Sequence, residues 1–358
     1  MKTTLQAFLR TLTCTLVCLV IFSAVQAKTL RVGYGGVALA NVDYTSIDLA
    51  VAGALDGDTI QVYGSVGSGT ITKRLVIQGF GYNLDVHPNL QIVNGDSPSE
   101  ASLTFNTGSE NTVLEGLTVY STLNTGNIAY RRCKITGAYI TVSEKHINNV
   151  KFLSSLIVGQ VYMSGQDQFN CTNFEMFNCI LQAPVYIYNA GSSGIVANCV
   201  TGNPEYAGVG SLNLYNSGFL VKNCILYTLG NGINTVFENN LFYQAQPNPL
   251  PAGSNNKWDQ RWADVFNRLG GTDEATGYSA TANFDENYYI LKANSPARQA
   301  GKNGANAATD CGIFGGEPAY IYKISGVPAI PAVYKLTAPG LNTSTNPYNI
   351  TISVRSNN

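Results

Sequence analysis

Two groups of residues in this sequence could do chemistry: a run of basic side chains and a series of regularly spaced tyrosines. The basic run has one glutamate, Glu144, within it and comprises Arg131, Arg132, Lys134, Lys145, His146 and Lys151. Such a run could line a cleft for a uronate polymer, with His146 or Lys145 as the proton acceptor. The alternative is a solvated surface on which Glu115 and Arg132, in one column of neighbouring repeats, form an ion pair.

Carboxylates that could complete a catalytic site are scarce. Asp167 is the only aspartate between Ala101 and Ala245, and the glutamates there are spread over different predicted repeats: Glu110, Glu115, Glu144, Glu175, Glu205 and Glu238. Glycoside hydrolysis uses paired carboxylates. A polysaccharide lyase that depends on calcium needs several acidic side chains, because calcium takes roughly 6 to 8 oxygen ligands. We therefore expect no catalytic residues, no metal and no cofactor. A polysaccharide lyase or glycoside hydrolase with a divergent site is the alternative.

The tyrosines are the better candidates for binding. Tyr139, Tyr162, Tyr186 and Tyr188 stand between apolar residues in short runs that alternate as strands do. The apolar neighbours would face a core, so the tyrosines would face outward and stack into a platform. Sugar rings can place an apolar face on such a platform. The alternative is stacking that only stabilises the sheet.

An internal repeat positions these residues. The repeated three-residue motifs are spaced 16 to 25 residues apart, and they begin at Glu115, Arg132, Ser154, Asn178, Asn198, Asn223 and Asn239. Short β-type runs with abundant Gly and Asn at this period indicate the coils of a parallel β-solenoid.

Stacked coils place equivalent residues in columns. One column holds Asn178, Asn198, Asn223 and Asn239, whose amides should bond from coil to coil and whose backbone should be left-handed. The next holds Cys133, Ser155, Cys179, Cys199 and Cys224. Disulfides or a metal would be the functional reading of the cysteines, but a straight column does not converge on one point, which favours a buried stack of small side chains.

If the cysteines point inward, the residues after them point outward. These are Leu117, Leu156, Ile180, Val200, Ile225 and Leu241, and they would form an apolar strip that needs cover. We expect the tail after Ile313 to provide it.

Composition agrees with a β protein. Of the 358 residues only 12% are charged, whereas 45% are hydrophobic, and there are 36 Gly and 21 Tyr. A coiled coil would carry more charge, and a disordered chain fewer apolar residues.

The N-terminus predicts export. Lys2 and Arg10 precede an apolar run over residues 12–25, which ends in small residues at Ala27, as in a secretory signal peptide. Its removal leaves 19 basic and 22 acidic residues, a balance that gives no reason to bind nucleic acid. No transmembrane segment is expected in the mature chain.

A short capped helix beginning at Thr45 or Ser46 should follow and cover the first coil.

These features resemble a known family. The run GDTIQV at residues 57–62, KRLVIQG at 73–79 and the Asn-Cys-Ile coils look like the secreted right-handed parallel β-helix proteins of the pectate-lyase-like superfamily. NSPA at 294–297 and DCGIFGG at 310–316 are similar to the last coils of such proteins in Bacteroidetes-type bacteria. The resemblance implies the fold over roughly residues 29–330. It implies no particular chemistry.

After Gln244 the repeat breaks, and an insertion at about 245–285 contains Trp258 and Trp262. Because the two tryptophans are four residues apart, a helical turn would place them on one face. There they could stack on a sugar, or they could pack the insertion against the solenoid. Tyr288 to Leu291 and Ile313 to Phe314 should be final coils. A Pro-rich connector then leads to two short strands.

The prediction is thus an all-β, right-handed parallel β-helix with a short N-terminal capping helix and a C-terminal extension. Its expected divisions are a signal peptide at 1–27, the β-helix at 28–325 and a connector and β tail at 326–358. The expected protein is secreted or on the cell surface, with the periplasm as an alternative, and is structural or glycan-binding. A polysaccharide is the expected partner, and no feature indicates an oligomeric state.

Overall fold

The computed structural model describes residues 27–33, 42–90, 99–141, 145–164, 169–201, 210–215, 217–230, 232, 234–267, 285–337 and 350–356. Outside the described residues lie the predicted signal peptide apart from Ala27, together with Glu144, Asp167 and Glu205.

Short strands dominate the described chain. In chain order they are β1 (Thr29–Gly33), β2 (Thr59–Tyr63), β3 (Ser65–Ile71), β4 (Val76–Gln78), β5 (Glu100–Phe105), β6 (Val113–Glu115), β7 (Thr118–Leu123), β8 (Ile128–Arg131), β9 (Lys134–Thr141), β10 (Ile147–Asn148), β11 (Val150–Leu153), β12 (Leu156–Ile157), β13 (Val161–Ser164), β14 (Cys171–Thr172), β15 (Phe174–Phe177), β16 (Ile180–Leu181), β17 (Val185–Ile187), β18 (Ser193–Ala197), β19 (Val200–Thr201), β20 (Leu212–Leu214), β21 (Gly218–Lys222), β22 (Ile225–Leu226), β23 (Val236–Glu238), β24 (Leu241–Phe242), β25 (Gly253–Ser254), β26 (Gly301–Lys302), β27 (Ala308–Thr309), β28 (Ala332–Thr337) and β29 (Thr351–Arg355). The helices are α1 (Ile47–Gly53), α2 (Trp262–Val265) and three 3-10 turns at Glu286–Tyr289, Pro318–Tyr320 and Ile324–Gly326.

Two long parallel sheets form the body of the molecule. Sheet 1 has 11 strands in the order β1-β2-β4-β6-β8-β11-β15-β18-β21-β23-β25. Sheet 2 has 12 strands and begins with β3, β5, β7 and β9. The long strand β9 then pairs with both β12 and β13, so the sheet divides into a short-strand branch (β12, β16, β19, β22, β24) and a tyrosine branch (β13, β17, β20). The predicted right-handed parallel β-helix is confirmed.

The predicted N-terminal helix is present and covers an edge strand. Ser46 is the N-cap of α1, and its hydroxyl accepts from the Leu49 N–H. Asp48 accepts from the backbone N–H of Thr70 in β3, which would otherwise be an unpaired edge group. At the other end, the Lys73 ammonium donates to the carbonyls of Val51, Ala52 and Ala54, where a cation also favours the helix dipole.

Each coil from β6 to β23 turns from sheet 1 into sheet 2 through one left-handed residue. This corner column has φ between 51° and 67° and comprises Gly116, Arg132, Ser154, Asn178, Asn198, Asn223 and Asn239. The left-handed backbone predicted for the four asparagines is therefore confirmed. The first repeat differs by one residue from the predicted register, because Thr118, and not Leu117, is the register partner of Lys134.

The cysteine column points inward, as predicted. Cys133, Cys179, Cys199 and Cys224 are fully buried in the core between the sheets, and Leu117 belongs to this inner column rather than to the outer strip. All four thiols are free, and two of their sulfurs accept from backbone N–H groups of neighbouring coils. The Cys179 N–H lies 3.5 Å from the Cys199 sulfur, and the Cys199 N–H lies 3.3 Å from the Cys224 sulfur. Asn240 continues the column beyond the cysteines by accepting from the Cys224 N–H.

The outer apolar strip is buried by the C-terminal part of the chain. Leu156, Ile180, Val200, Ile225 and Leu241 form a second core with Trp262, Phe266, Tyr289 and Ile313. We call residues 262–267 and 285–329 the return segment. The cover therefore begins well before Ile313. The interpretation of 288–291 and 313–314 as final coils is wrong, because residues 288–291 form the end of a 3-10 turn and an antiparallel bridge to Phe266, and residues 313–314 form a turn.

The return segment runs back along the corner column. It contacts successive corners from the last coils towards the first, at Asn223 (Lys302), Asn198 (Asp310 and Gly312), Asn178 (Ile313 and Gly315), Ser154 (Tyr320) and Arg132 (Val327). The predicted coil-to-coil bonding of the asparagines is confirmed in part. Asn223 donates to Asn198 at 3.4 Å, and Asn239 accepts from Asn255 of the next coil at 3.3 Å. The amides of Asn178, Asn198 and Asn223 also donate to carbonyls of the return segment, which the sequence did not predict.

The two strands predicted after the connector are present as an antiparallel hairpin of β28 and β29. Among the described residues, the helices are all too short to cross a membrane.

Candidate functional site

The predicted tyrosines form one row on the tyrosine branch of sheet 2. Tyr162 is the register partner of Tyr139 on one side and of Tyr186 on the other. Their strand neighbours, including Ala138, Val161 and Val185, are fully buried. Because side chains alternate along a strand, burial of these neighbours directs the tyrosines outward, as the sequence predicted.

The rings of the row are in contact. The centroids of Tyr139 and Tyr162 are 6.0 Å apart and those of Tyr162 and Tyr186 are 6.1 Å apart, with tilted and edge-on geometry. Tyr188 stacks on Tyr186 at 5.5 Å with an angle of 9° and lies 5.8 Å from Tyr162. These separations are those of favourable aromatic pairs.

Two further tyrosines, not identified from the sequence, extend the row at both ends. Tyr120 in β7 lies 5.7 Å from Tyr139, and Tyr215 stacks on Tyr188 at 4.9 Å. Tyr120 was missed because an irregular register after Val119 sets it opposite Gly137 instead of Tyr139. We call the six residues the tyrosine ribbon: Tyr120, Tyr139, Tyr162, Tyr186, Tyr188 and Tyr215.

The ribbon presents partly exposed rings on five consecutive coils. Tyr120 is 42% exposed and Tyr188 is 39% exposed, and the other four are half-buried. Partial burial and the neighbouring phenols of Tyr215, Tyr186 and Tyr162 raise the pKa of Tyr188, so its hydroxyl is neutral at physiological pH. A neutral aromatic surface of this kind can stack on apolar faces while its hydroxyls hydrogen-bond with polar groups.

The basic run does not assemble into one cleft. Arg132 lies at a corner beneath the return segment, where it donates to the Val327 carbonyl and lies 3.8 Å from Glu115. Lys134 reaches the Asn83 side chain. His146 is exposed, directly precedes β10 and bonds to Asn170. The expected contact between Glu115 and Arg132 is confirmed, although the register partner of Glu115 is Arg131.

One of the scattered carboxylates forms an ion pair and is not part of a catalytic cluster. Glu175 in sheet 1 pairs with Lys151 at 2.9 Å. Asp167 lies outside the described residues.

The tryptophans pack the chain against the solenoid. Trp258 stacks on Phe242 at 4.3 Å, and Trp262, 2% exposed, begins α2 and is buried in the return segment's core. They do not share a helical face, because Arg261 is the N-cap of α2 and Trp258 precedes it.

Side chains with metal-ligating atoms come together at one place in the described chain, well apart in sequence from the ribbon. These are His87, in the loop after β4, and Asp285 and Glu286, at the 3-10 turn of the return segment.

Comparison with known proteins gives no family, since no family model, curated protein or solved structure matches this chain.

Proposed function

We propose that this protein is an exported, non-catalytic β-helix protein that binds a polysaccharide along its tyrosine ribbon. The observation that carries the proposal is the in-register row of partly exposed tyrosine rings. Membership of the pectate-lyase-like superfamily and a place outside the cell or on its surface are parts of the same proposal, supported by the sequence resemblance and the predicted signal peptide.

The dimensions of the ribbon suit a linear glycan. Adjacent coils are about 4.8 Å apart, so five coils extend for roughly 19 Å along the axis. Register partners beside the rings, such as Thr122 opposite Tyr139 and Asn213 opposite Tyr186, are uncharged and polar. A chain of neutral sugars could therefore stack several rings on the ribbon and hydrogen-bond with the tyrosine hydroxyls and with Thr122. Such a surface offers no charge to a uronate polymer.

Binding and turnover should be measured together. The purified chain is screened by isothermal titration against plant and bacterial polysaccharides, with and without calcium, while reducing ends and unsaturated products are followed. We expect binding without products. Release of products would contradict the non-catalytic proposal and favour the alternative of a lyase or hydrolase with a divergent site.

Tyr162→Ala tests the ribbon directly, because Tyr162 contacts Tyr139, Tyr186 and Tyr188. Loss of one stacking ring is worth about 1 kcal/mol, so affinity should fall about fivefold. Tyr63→Ala is the matched control, since Tyr63 is also half-buried and packs on an aromatic, Phe80, but belongs to sheet 1. The tyrosine ribbon would serve only to stabilise the sheet if Tyr162→Ala leaves the affinity for the polysaccharide unchanged, or if Tyr63→Ala lowers it as much.

Export has its own test. The chain is expressed with its N-terminus intact in a bacterial host and the secreted or periplasmic product is weighed by mass spectrometry. A product that begins at Lys28 is expected, and an unprocessed chain retained in the cytoplasm would contradict the proposal.

A further inference from the structure

Three donor atoms from distant parts of the chain converge beneath the return segment. The His87 Nε2 atom lies 3.0 Å from a Glu286 oxygen and 3.4 Å from an Asp285 oxygen, and all three donor atoms lie within 4.8 Å of one another. Zinc binds imidazole and carboxylate at about 2.0–2.2 Å, which places neighbouring donors roughly 3.0–3.6 Å apart. The spacing of the His87 nitrogen from both carboxylates matches that geometry.

Surrounding groups hold these side chains in place. Glu286 is fully buried, and its other oxygen accepts from the Ser325 N–H at 3.2 Å and from the Asn83 amide at 3.5 Å. Asp285 accepts from the Asn287 N–H at 2.8 Å. Such outer bonds fix the orientation of ligands in metal sites. The Asp285 side chain is 38% exposed, which leaves a route for an ion and a water ligand.

The local charge favours a divalent cation. Three carboxylates act on His87, those of Asp85, Asp285 and Glu286, and one ammonium, Lys134, approaches through Asn83. A divalent cation among these carboxylates lowers the cost of keeping the Glu286 side chain out of water.

We propose that His87, Asp285 and Glu286 bind a divalent transition-metal ion, with zinc as the ion of choice and water completing its coordination. The imidazole nitrogen selects zinc over calcium and magnesium, because those ions take oxygen ligands. On binding, His87 releases any proton on Nε2 to solvent and the nitrogen lone pair coordinates the ion.

The ion would tie the return segment to the solenoid. His87 comes from the loop between β4 and β5, whereas Asp285 and Glu286 come from the segment that covers the apolar strip. Beside them, Tyr82 of the loop and Tyr322 of the return segment share a hydrogen bond of 2.7 Å. A metal bound here stabilises the covered state by mass action, so it should raise the melting temperature.

The test begins with the purified chain freed of metal by a chelator. Zinc chloride is titrated calorimetrically, and cobalt chloride is used for absorption spectra. The sequence contains only two histidines, so His146→Ala is a matched control that removes the other imidazole. We expect one zinc per chain, a higher melting temperature with zinc, and a visible cobalt band without the intense near-ultraviolet band of thiolate ligands, in both wild type and His146→Ala.

His87→Ala and Asp285→Asn should each weaken zinc binding at least about tenfold and abolish the rise in melting temperature. Asp285 is partly exposed, so its variant keeps the test valid if His87→Ala fails to fold. The proposal is overturned if metal-free wild type binds no zinc stoichiometrically, or if binding survives unchanged in Asp285→Asn. Since no glycan takes part, this outcome is independent of the polysaccharide screen.

Discussion

Asp58 shows how single side chains hold the first coils together. It is 1% exposed, and its two oxygens accept from the backbone N–H groups of Leu55 and Lys28, each at 2.7 Å. These two bonds lower the pKa of Asp58 below its ordinary 3.8, against the opposing effect of burial. The carboxylate therefore joins Lys28, directly before β1, to Leu55, two residues after the end of α1.

The lowered pKa gives a stability that depends on pH. A carboxylate with a lower pKa in the folded state contributes its full stabilisation above its unfolded pKa and loses it as pH falls through the folded value. We expect wild type to lose stability below about pH 4. Asp58→Asn should lower the free energy of unfolding at pH 7 by about 1–3 kcal/mol, because the amide nitrogen faces a backbone donor. As pH falls from 7 to 3, the free energy of unfolding of Asp58→Asn should decrease less than that of wild type.

Urea unfolding between pH 3 and pH 7 measures both effects. Asp259→Asn is the control, since Asp259 is exposed and its φ of 57° is well tolerated by asparagine. Identical pH profiles for wild type and Asp58→Asn would contradict the assignment.

Asn178 combines two roles that substitutions can separate. Its φ is 52°, and its side-chain amide donates to the carbonyls of Ile313 and Gly315, each at 2.8 Å. Asn178→Gly keeps the left-handed backbone but loses both bonds, so we expect a loss of about 1–3 kcal/mol. Asn178→Ala should lose roughly 1–2 kcal/mol more, from backbone strain.

Denaturant unfolding compares these variants with Asn111→Gly, at an exposed left-handed position. Equal stabilities for Asn178→Gly and Asn178→Ala would show that the corner does not require left-handed backbone.

Among the elements, the return segment is stabilised chiefly by apolar burial. Trp262, at the start of α2, is its largest buried side chain and packs with Phe266 at 5.1 Å. Trp262→Ala should lower the free energy of unfolding by about 3–5 kcal/mol, as is usual for a large buried aromatic. Leu250→Ala, at a loop residue that is 58% exposed, should change it by less than about 0.5 kcal/mol. A small effect of Trp262→Ala would mean that the strip is covered only loosely.

The coils could be predicted from the sequence, whereas their cover could not. Asparagine at Asn178, Asn198 and Asn223 marks a corner because few residues adopt left-handed backbone, and alternation marks the strands on either side. The partners of those asparagines are backbone carbonyls of the return segment, which any residue supplies. The segment's own apolar contacts follow no period, so residues 288–291 resembled a strand. For the same reason the centre of the tyrosine ribbon was predictable, but Tyr120, displaced by an irregular register, was not.

For the whole molecule, the return segment changes how a solenoid should unfold. Coils that contact only their neighbours can open progressively from one end. Here one segment bonds to corners from Asn223 back to Arg132, and Ser325 reaches the loop after β4 through the Tyr82 N–H. Opening the last coils therefore requires release of a segment that also holds the first ones, and we expect the described coils to unfold together.

The buried cysteine column reports this directly, since its thiols sample successive coils from Cys133 to Cys224. Burial raises the pKa of Cys133 to about 12 and those of Cys199 and Cys224 above their ordinary value, so native thiols should resist alkylation. In pulsed alkylation at increasing urea, read by mass spectrometry of peptides, all should react at a single midpoint. Trp262→Ala, which loosens the cover, should let Cys224 react at lower urea than Cys133. If Cys224 also reacts at lower urea than Cys133 in wild type, the coils open from the C-terminal end and the return segment does not couple them.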